Sequence, residues 1–301
     1  MAIRVANAPC SWGALEFDCD GPAAVSYPQV LDEIAATGYE GTELGDWGFM
    51  PTDPDVLARE LRLRRLALVA AFVPIAFANP SAVEAGEARA VRVGRLLHDV
   101  AGEAAIVVLA DDNCRVPDRT RLAGRIRAEH GLRPEQWTVF AQAVARVART
   151  VRDATGLRSV FHPHCGGWVE TTAEIDVLMS RTDPALVGLC LDTGHLMYGG
   201  GDPLTAIAAY GDRIWHVHVK DCDPRVAAAA REREWDYHRA VREGIFCELG
   251  RGAVPFLEVR DALSARGYAG WIVVEQDVLP GVGTPAASAQ RNREYLRQLG
   301  L

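Results

Sequence analysis

The chain has 301 residues, 49% hydrophobic and 24% charged, an ordinary globular composition that fits one large α/β domain. Its formal net charge of -8 and pI of about 5.5 leave no basic excess for a phosphate backbone, so nucleic acid is not the expected partner. The cysteines, at 10, 19, 114, 165, 190, 222 and 247, include no Cys-x-x-Cys pair. The opening "MAIRVANAPCSWG" lacks a signal-peptide pattern, and no apolar run approaches the roughly 18 residues of a membrane span. A soluble cytoplasmic protein with reduced thiols is the expectation.

Short apolar, β-branched runs recur along the chain. In order they are "IRVANAP" (3–9), "YEGTELG" (39–45), "LALVAAFVP" (66–74), "AAIVVLAD" (104–111), "RSVFHPH" (158–164), "LVGLCLD" (186–192), "RIWHVHVK" (213–220) and "GWIVVEQD" (270–277). Between them lie segments with helical spacing and glycine stops: "PQVLDEIAATG", "PEQWTVFAQAVARVARTVRDATG" and "FLEVRDALSARG". Strands alternating with helices predict a parallel β/α architecture, and eight such units predict a single-domain (β/α)8 TIM barrel over 1–301. An open doubly wound sheet is the alternative, but "NAPCSWGALEF" after the first run has no GxGxxG phosphate loop. Two connections exceed the minimum, 111–135 and 221–252. Both leave C-terminal strand ends, where barrel active sites sit, and are expected to shape a lid over the mouth.

Most of these strands end in an ionisable residue. The ends supply Glu43; Asp111 and Asp112; His162 and His164; Asp192, followed by His195; His216, His218 and Lys220; and Glu275 and Asp277. A barrel gathers such ends around one axis, and Asp, Glu and His without cysteine suit a divalent ion such as Mn, Co, Zn or Mg. In "IWHVHVK" a period of two puts Ile214, His216, His218 and Lys220 on one face and Trp215, Val217 and Val219 on the other. Plainer readings stand beside these. His216 can be a hydrogen-bonded core histidine. Asp192 can cap the helix that follows it. Glu170 can start a helix with Thr171 or Thr172 as its cap. Asp221 and Asp223 read as loop or cap residues, "GGG" at 199–201 as a turn, and Cys165, beside His164, as a thiol that nothing else marks as a nucleophile.

"LDTGH" (191–195), "HVHVKD" (216–221) and "GYAGWIVVEQD" (267–277) resemble the xylose-isomerase-like TIM-barrel superfamily of sugar isomerases, epimerases and dehydratases. Within it, "NAPCSWG" (7–13), "GYEGTELGDWGFMP" (38–51), "AFVP" (71–74) and "FHPHCGGWVET" (161–171) are most similar to the inosose (2-keto-myo-inositol) dehydratase group. The resemblance implies one divalent metal, usually Mn or Co, at the mouth. Its last three ligands carry over as Asp192, His218 and Glu275. The usual glutamate of strand five is absent; His162 sits nearest that place, with His164 and Glu170 as alternatives. A second departure is "GRGAVPF" (250–256), where related chains often have an aspartate. The implied activity is water elimination from a keto-cyclitol. The alternative is a keto-sugar isomerase or epimerase that moves a proton without losing water. For dehydration the candidate bases are His195, His164 and Glu43, with Lys220 stabilising the enolate or protonating the leaving hydroxyl. Trp12 and Trp47 are candidate walls against the substrate ring, with His216 and Glu170 in the same lining. An apurinic-endonuclease-like nuclease and a metal-free sugar-binding barrel are the remaining alternatives. The acidic balance opposes the first, and intact Asp192, His218 and Glu275 oppose the second. Assembly as a homo-oligomer is expected by analogy only.

Overall fold

The computed structural model describes residues 3–13, 25–276 and 283–301. Its strands are β1 (Arg4–Asn7), β2 (Gly41–Glu43), β3 (Ala67–Ile75), β4 (Ile106–Asp111), β5 (Arg158–His162), β6 (Val187–Asp192), β7 (Ile214–Val219), β8 (Asp221–Cys222), β9 (Phe246–Cys247) and β10 (Trp271–Val274). Eight of them close a parallel barrel in the order β1-β10-β7-β6-β5-β4-β3-β2, so each run read as a strand is one. The runs end sooner than their sequence suggests. His164 lies on the loop beyond β5 and Glu275 just beyond β10, while Asp277 falls outside the described residues.

Helix starts are written locally. Asp53, Asp202, Asp223 and Thr284 each accept a backbone N–H at a helix N-terminus, and proline follows each of them. That proline presets the helical φ and removes an amide that would have had no partner. Asp223 is thus a cap, and Thr171 with Glu174 forms the capping box of helix Thr172–Arg181. Apolar residues of the strands' outer faces and the helices form one large core, while small residues such as Ala6, Ala8, Val108, Val160, Cys190 and Val273 fill the barrel. Among the described residues no helix is long and apolar enough to cross a membrane.

The strict alternation expected for 214–220 breaks at its start. Leu189 pairs with Ile214 but Cys190 with His216, so Trp215 is the extra residue of a bulge. Ile214 therefore joins Val217 and Val219 in the outer core, and Trp215 packs with the barrel interior. The bulge rephases the strand so that His216 and His218 face the axis. It depends on Gly188, where an added Cβ would lie 2.4 Å from the Trp215 ring.

The two long connections are folded. The first carries helix Pro117–Leu122 and a 3-10 turn at Ala128–His130; the second carries β8, helices Pro224–Glu232 and Tyr237–Arg242, and β9. Arg125 of the first donates to the carbonyls of Ala230 and Trp235 in the second. Arg231 of the second donates to the carbonyls of Gly124 and Tyr198. Gly188→Ala should cost about 1–3 kcal/mol, since a rigid indole must move to admit the methyl group. Denaturant unfolding measures this, and unchanged stability would contradict the account of the bulge.

Candidate active site

His162, Asp192, His218 and Glu275 come from β5, β6, β7 and the end of β10, which are neighbours around the barrel. Each offers one ligand atom, and the four atoms lie within 4.8 Å of one another. Three of the four residues are buried, and the Glu275 side chain is 13% exposed. Both ring nitrogens of His162, Oδ2 of Asp192 and Nδ1 of His218 are buried without a hydrogen bond. His162 Nε2 lies 3.5 Å from Asp192 Oδ2, and His218 Nδ1 lies 3.1 Å from Glu275 Oε1. An unpaired buried polar atom costs about 1–3 kcal/mol, so a convergent set of them marks a place for a further electrophile. Asp192 satisfies both of its sequence readings, because Oδ1 accepts the His195 amide at 2.7 Å as a helix cap while Oδ2 turns to the cluster.

Charge leads to the same conclusion. Glu43, Asp192 and Glu275 are three carboxylates, and Lys220 is one buried ammonium, 3.2 Å from Glu275 Oε2. The carboxylates outnumber the ammonium, an excess that a proton on His218 or a bound cation must offset, because burying it uncompensated is costly. Burial opposes charge on Asp192, but His162, Lys220 and His218 outweigh it and hold the carboxyl below its usual range. Burial likewise opposes charge on His218, yet its neighbours, Glu275 and Glu43 among them, push its pKa well up. Two histidine nitrogens with two carboxylate oxygens suit a first-row divalent ion or zinc. The residues therefore fit a metal. Two other groupings are also close. In one, Glu43 already accepts hydrogen bonds from His216 and His218. In the other, burial pushes the Cys190 thiol up to about 11, which keeps it protonated and a poor ligand.

Above the four ligands, His164 and His195 pack with ring centroids 3.8 Å apart and planes tilted by 36°. The backbone of Cys165 touches both. His164 Nδ1 lies 2.7 Å from the Cys165 carbonyl, which can only accept, so that nitrogen carries the proton. The Cys165 amide, which can only donate, meets His195 Nδ1 at 3.3 Å, so the neutral His195 ring carries its proton on Nε2. Burial, with the nearby His164 and Lys220, holds His195 well below the usual histidine range and hence neutral. Its Nε2 lies 3.5 Å from Lys220 Nζ, and Lys220 lies over the Phe246 ring at 4.7 Å.

Several expected residues sit elsewhere. Glu43 does not face the mouth as a base; its Oε1 accepts from His216 and His218 at 2.7 and 2.9 Å. His216 is buried against that carboxylate rather than lining a substrate site. Glu170 is not a ligand. It accepts the amides of Gly124 and Gly166, and burial pushes its carboxyl up to about 7. Trp12 belongs to the outer core, with its indole N–H on Glu33. Trp47 is exposed, under the Arg92 guanidinium and beside the helices Pro54–Arg64 and Pro80–Ala101. Asp221 gathers the loop at 250–254 through the amides of Gly250, Gly252 and Val254.

Sequence reasoning missed three residues. Phe246 packs edge-on against His195, and Tyr237 packs against both His164 and His195. Buried Arg119 grips Glu174 with two nitrogens and donates to the Gly167 carbonyl, tying the first long connection to the loop that carries His164. The sequence "IFCEL" hints at a short strand for Phe246; nothing local distinguishes Arg119 from its exposed neighbours.

Two outcomes follow. In chelator-treated protein, Mn2+ at a hundred times its dissociation constant should raise the unfolding free energy by about 2.7 kcal/mol, read as a higher midpoint. An unchanged midpoint would contradict the charge argument. Arg119→Ala should destabilise by about 3–5 kcal/mol, because Glu174 would be left buried and unpaired; a loss below 1 kcal/mol in denaturant unfolding would contradict that.

The sequence profile of the xylose isomerase-like TIM barrel matches residues 31–299. An inosose dehydratase from Lacticaseibacillus casei is 33% identical over 296 residues, spanning 98% of this chain and 97% of the relative. One from Geobacillus kaustophilus is 34% identical over 299 residues, spanning 99% and 94%. Among solved structures, a probable 3-DHS dehydratase from Bacillus anthracis superposes with a TM-score of 0.72 at 13% identity, covering 98% of this chain and 99% of that one. A 3-keto-D-glucoside 4-epimerase from E. coli superposes with a TM-score of 0.67 at 16% identity, covering 98% and 99%. At those identities the likeness shows the fold. With a family profile spanning the barrel and full-length relatives at a third identity, the chain belongs to the xylose isomerase-like TIM barrel family.

Proposed function

We propose that the protein is a divalent-metal-dependent dehydratase that eliminates water from a keto-cyclitol such as 2-keto-myo-inositol. The observation that carries the reading is the pair of close-packed histidines beside the four-ligand cluster, held in opposite tautomers by the N–H and the C=O of Cys165. The full-length relatives named inosose dehydratase support the substrate class. His162, Asp192, His218 and Glu275 would hold the ion, with Mn or Co the choice that the family resemblance implies. When bound it supplies Lewis-acid polarisation of the substrate ketone.

Elimination requires a proton to leave the carbon beside the ketone and another to reach the departing hydroxyl. His164 carries its proton on Nδ1, so Nε2 is the nitrogen that takes the proton from carbon. The C–H electron pair moves into the new C=C bond, the C–O bond breaks, and the hydroxyl leaves as water with a proton from the enzyme. Lys220 ammonium and His195 Nε2–H are both donors and cannot bond each other at their 3.5 Å separation. They converge on a shared acceptor, and the leaving oxygen is the substrate atom that fits. Lys220 is the stronger acid and supplies the proton; His195 orients the oxygen. Phe246 and Tyr237, with the segments 111–135 and 221–252 as a cover, exclude water from this step. The same parts can return the proton to carbon, as an epimerase does, and product analysis separates the two.

NMR of the Mn-loaded enzyme with 2-keto-myo-inositol in D2O should show a dione product lacking one water. Deuterium uptake with all hydroxyls retained would replace the dehydratase reading with the epimerase one. Lys220→Met should lower kcat by about 10²–10⁴-fold with metal content intact; near-normal turnover would remove Lys220 from the chemistry.

A further inference from the structure

We propose that Glu43 is a positioning residue for the metal: from across the barrel it fixes His218 so that only Nδ1 faces the ion. Glu43 ends β2, and β7 is not its neighbour in the closed barrel, so the carboxylate spans the interior to reach its partners. One oxygen, Oε1, takes His216 Nε2 at 2.7 Å and His218 Nε2 at 2.9 Å. Glu43, His216 and His218 are all buried. A carboxylate only accepts, so both Nε2 atoms must carry hydrogen, and in the neutral ring that can hold a metal the His218 lone pair belongs to Nδ1. That atom is buried without a hydrogen bond and lies 3.1 Å from Glu275 Oε1 and 3.9 Å from Asp192 Oδ2.

The local backbone supports the same arrangement. The bulge at Trp215 turns His216 and His218 inward together, opposite Cys190 and Asp192. The β2–β3 register shifts between Thr42 and Glu43. His216 is thus not a spare ligand. It occupies the second approach to Oε1 and holds the carboxylate in the plane that His218 needs. A carboxylate behind a ligating histidine also raises the basicity of the bound nitrogen, and removing such a partner typically weakens metal affinity 10–100-fold.

The inference rests on the metal assignment of the proposed function, and its test needs no substrate. Mn2+ titration of chelator-treated wild type, Glu43→Gln and Glu43→Asp, followed by calorimetry, should give one ion per chain and 10–100-fold weaker binding in both variants. Gln removes the charge, and Asp withdraws the oxygen by one methylene. In the zinc-loaded wild type, nitrogen-15 histidine NMR should place the His218 proton on Nε2 and the metal on Nδ1, whether or not the variants fold. Turnover lost in the variants should return with excess Mn2+. Unchanged affinity in both variants, a His218 proton on Nδ1, or two ions per chain with Glu43 and His216 as ligands would each overturn the proposal. If 2-keto-myo-inositol is not dehydrated while these metal results hold, the substrate reading fails and the role of Glu43 stands.

Discussion

Three carboxylates gather at the mouth of this barrel against one buried ammonium, and the rest of the site is arranged around that excess of negative charge. In the interior such an excess is tolerated only with a partner close by. Buried polar atoms without hydrogen bonds include four from His162, Asp192 and His218, residues that face this excess. Barrel closure is what makes the arrangement possible, because β5, β6, β7 and β10 are consecutive staves and their ends cannot avoid one another.

Around that centre the polar groups are layered. Below it, Glu43 and His216 hold His218. Above it, the N–H and C=O of Cys165 give His164 and His195 opposite tautomers, which suits two chemically identical side chains to opposite parts in the proposed proton transfer. The loop bearing Cys165 is itself braced by Glu170 through the Gly166 amide and by Arg119 through the Gly167 carbonyl. Arg125 and Arg231 cross-tie the two long connections to each other and to Tyr198. Charged side chains here act chiefly on backbone groups, which suits holding loops in place better than surface ion pairs would.

What could be read from the sequence was whatever has a local period. Alternating apolar runs disclosed the staves, and an ionisable residue at the end of a stave pointed to the centre, so the strand-end residues could be listed, while the choice of Asp192, His218 and Glu275 among them came from the family resemblance and left His162, His164 and Glu170 open. What failed was set by partners far along the chain. Glu43 looked like a base because the histidines that occupy it lie 173 and 175 residues away. The facing of Ile214 and Trp215 was misjudged because Gly188, on the neighbouring stave, makes room for the indole. Trp12 and Trp47 were offered to the substrate on chemical type alone, and type says nothing about which side of a barrel a loop residue takes. The two readings of Asp192 were framed as rivals, yet a carboxylate has two oxygens and serves both.

The most direct test of the central claim is a crystal structure of the Mn-soaked protein with anomalous data at the manganese edge. The account predicts one peak, bonded to His162, Asp192 Oδ2, His218 Nδ1 and Glu275, with Glu43 still bridging His216 and His218. No peak in the mouth, or a peak held by Glu43 and His216, would contradict it.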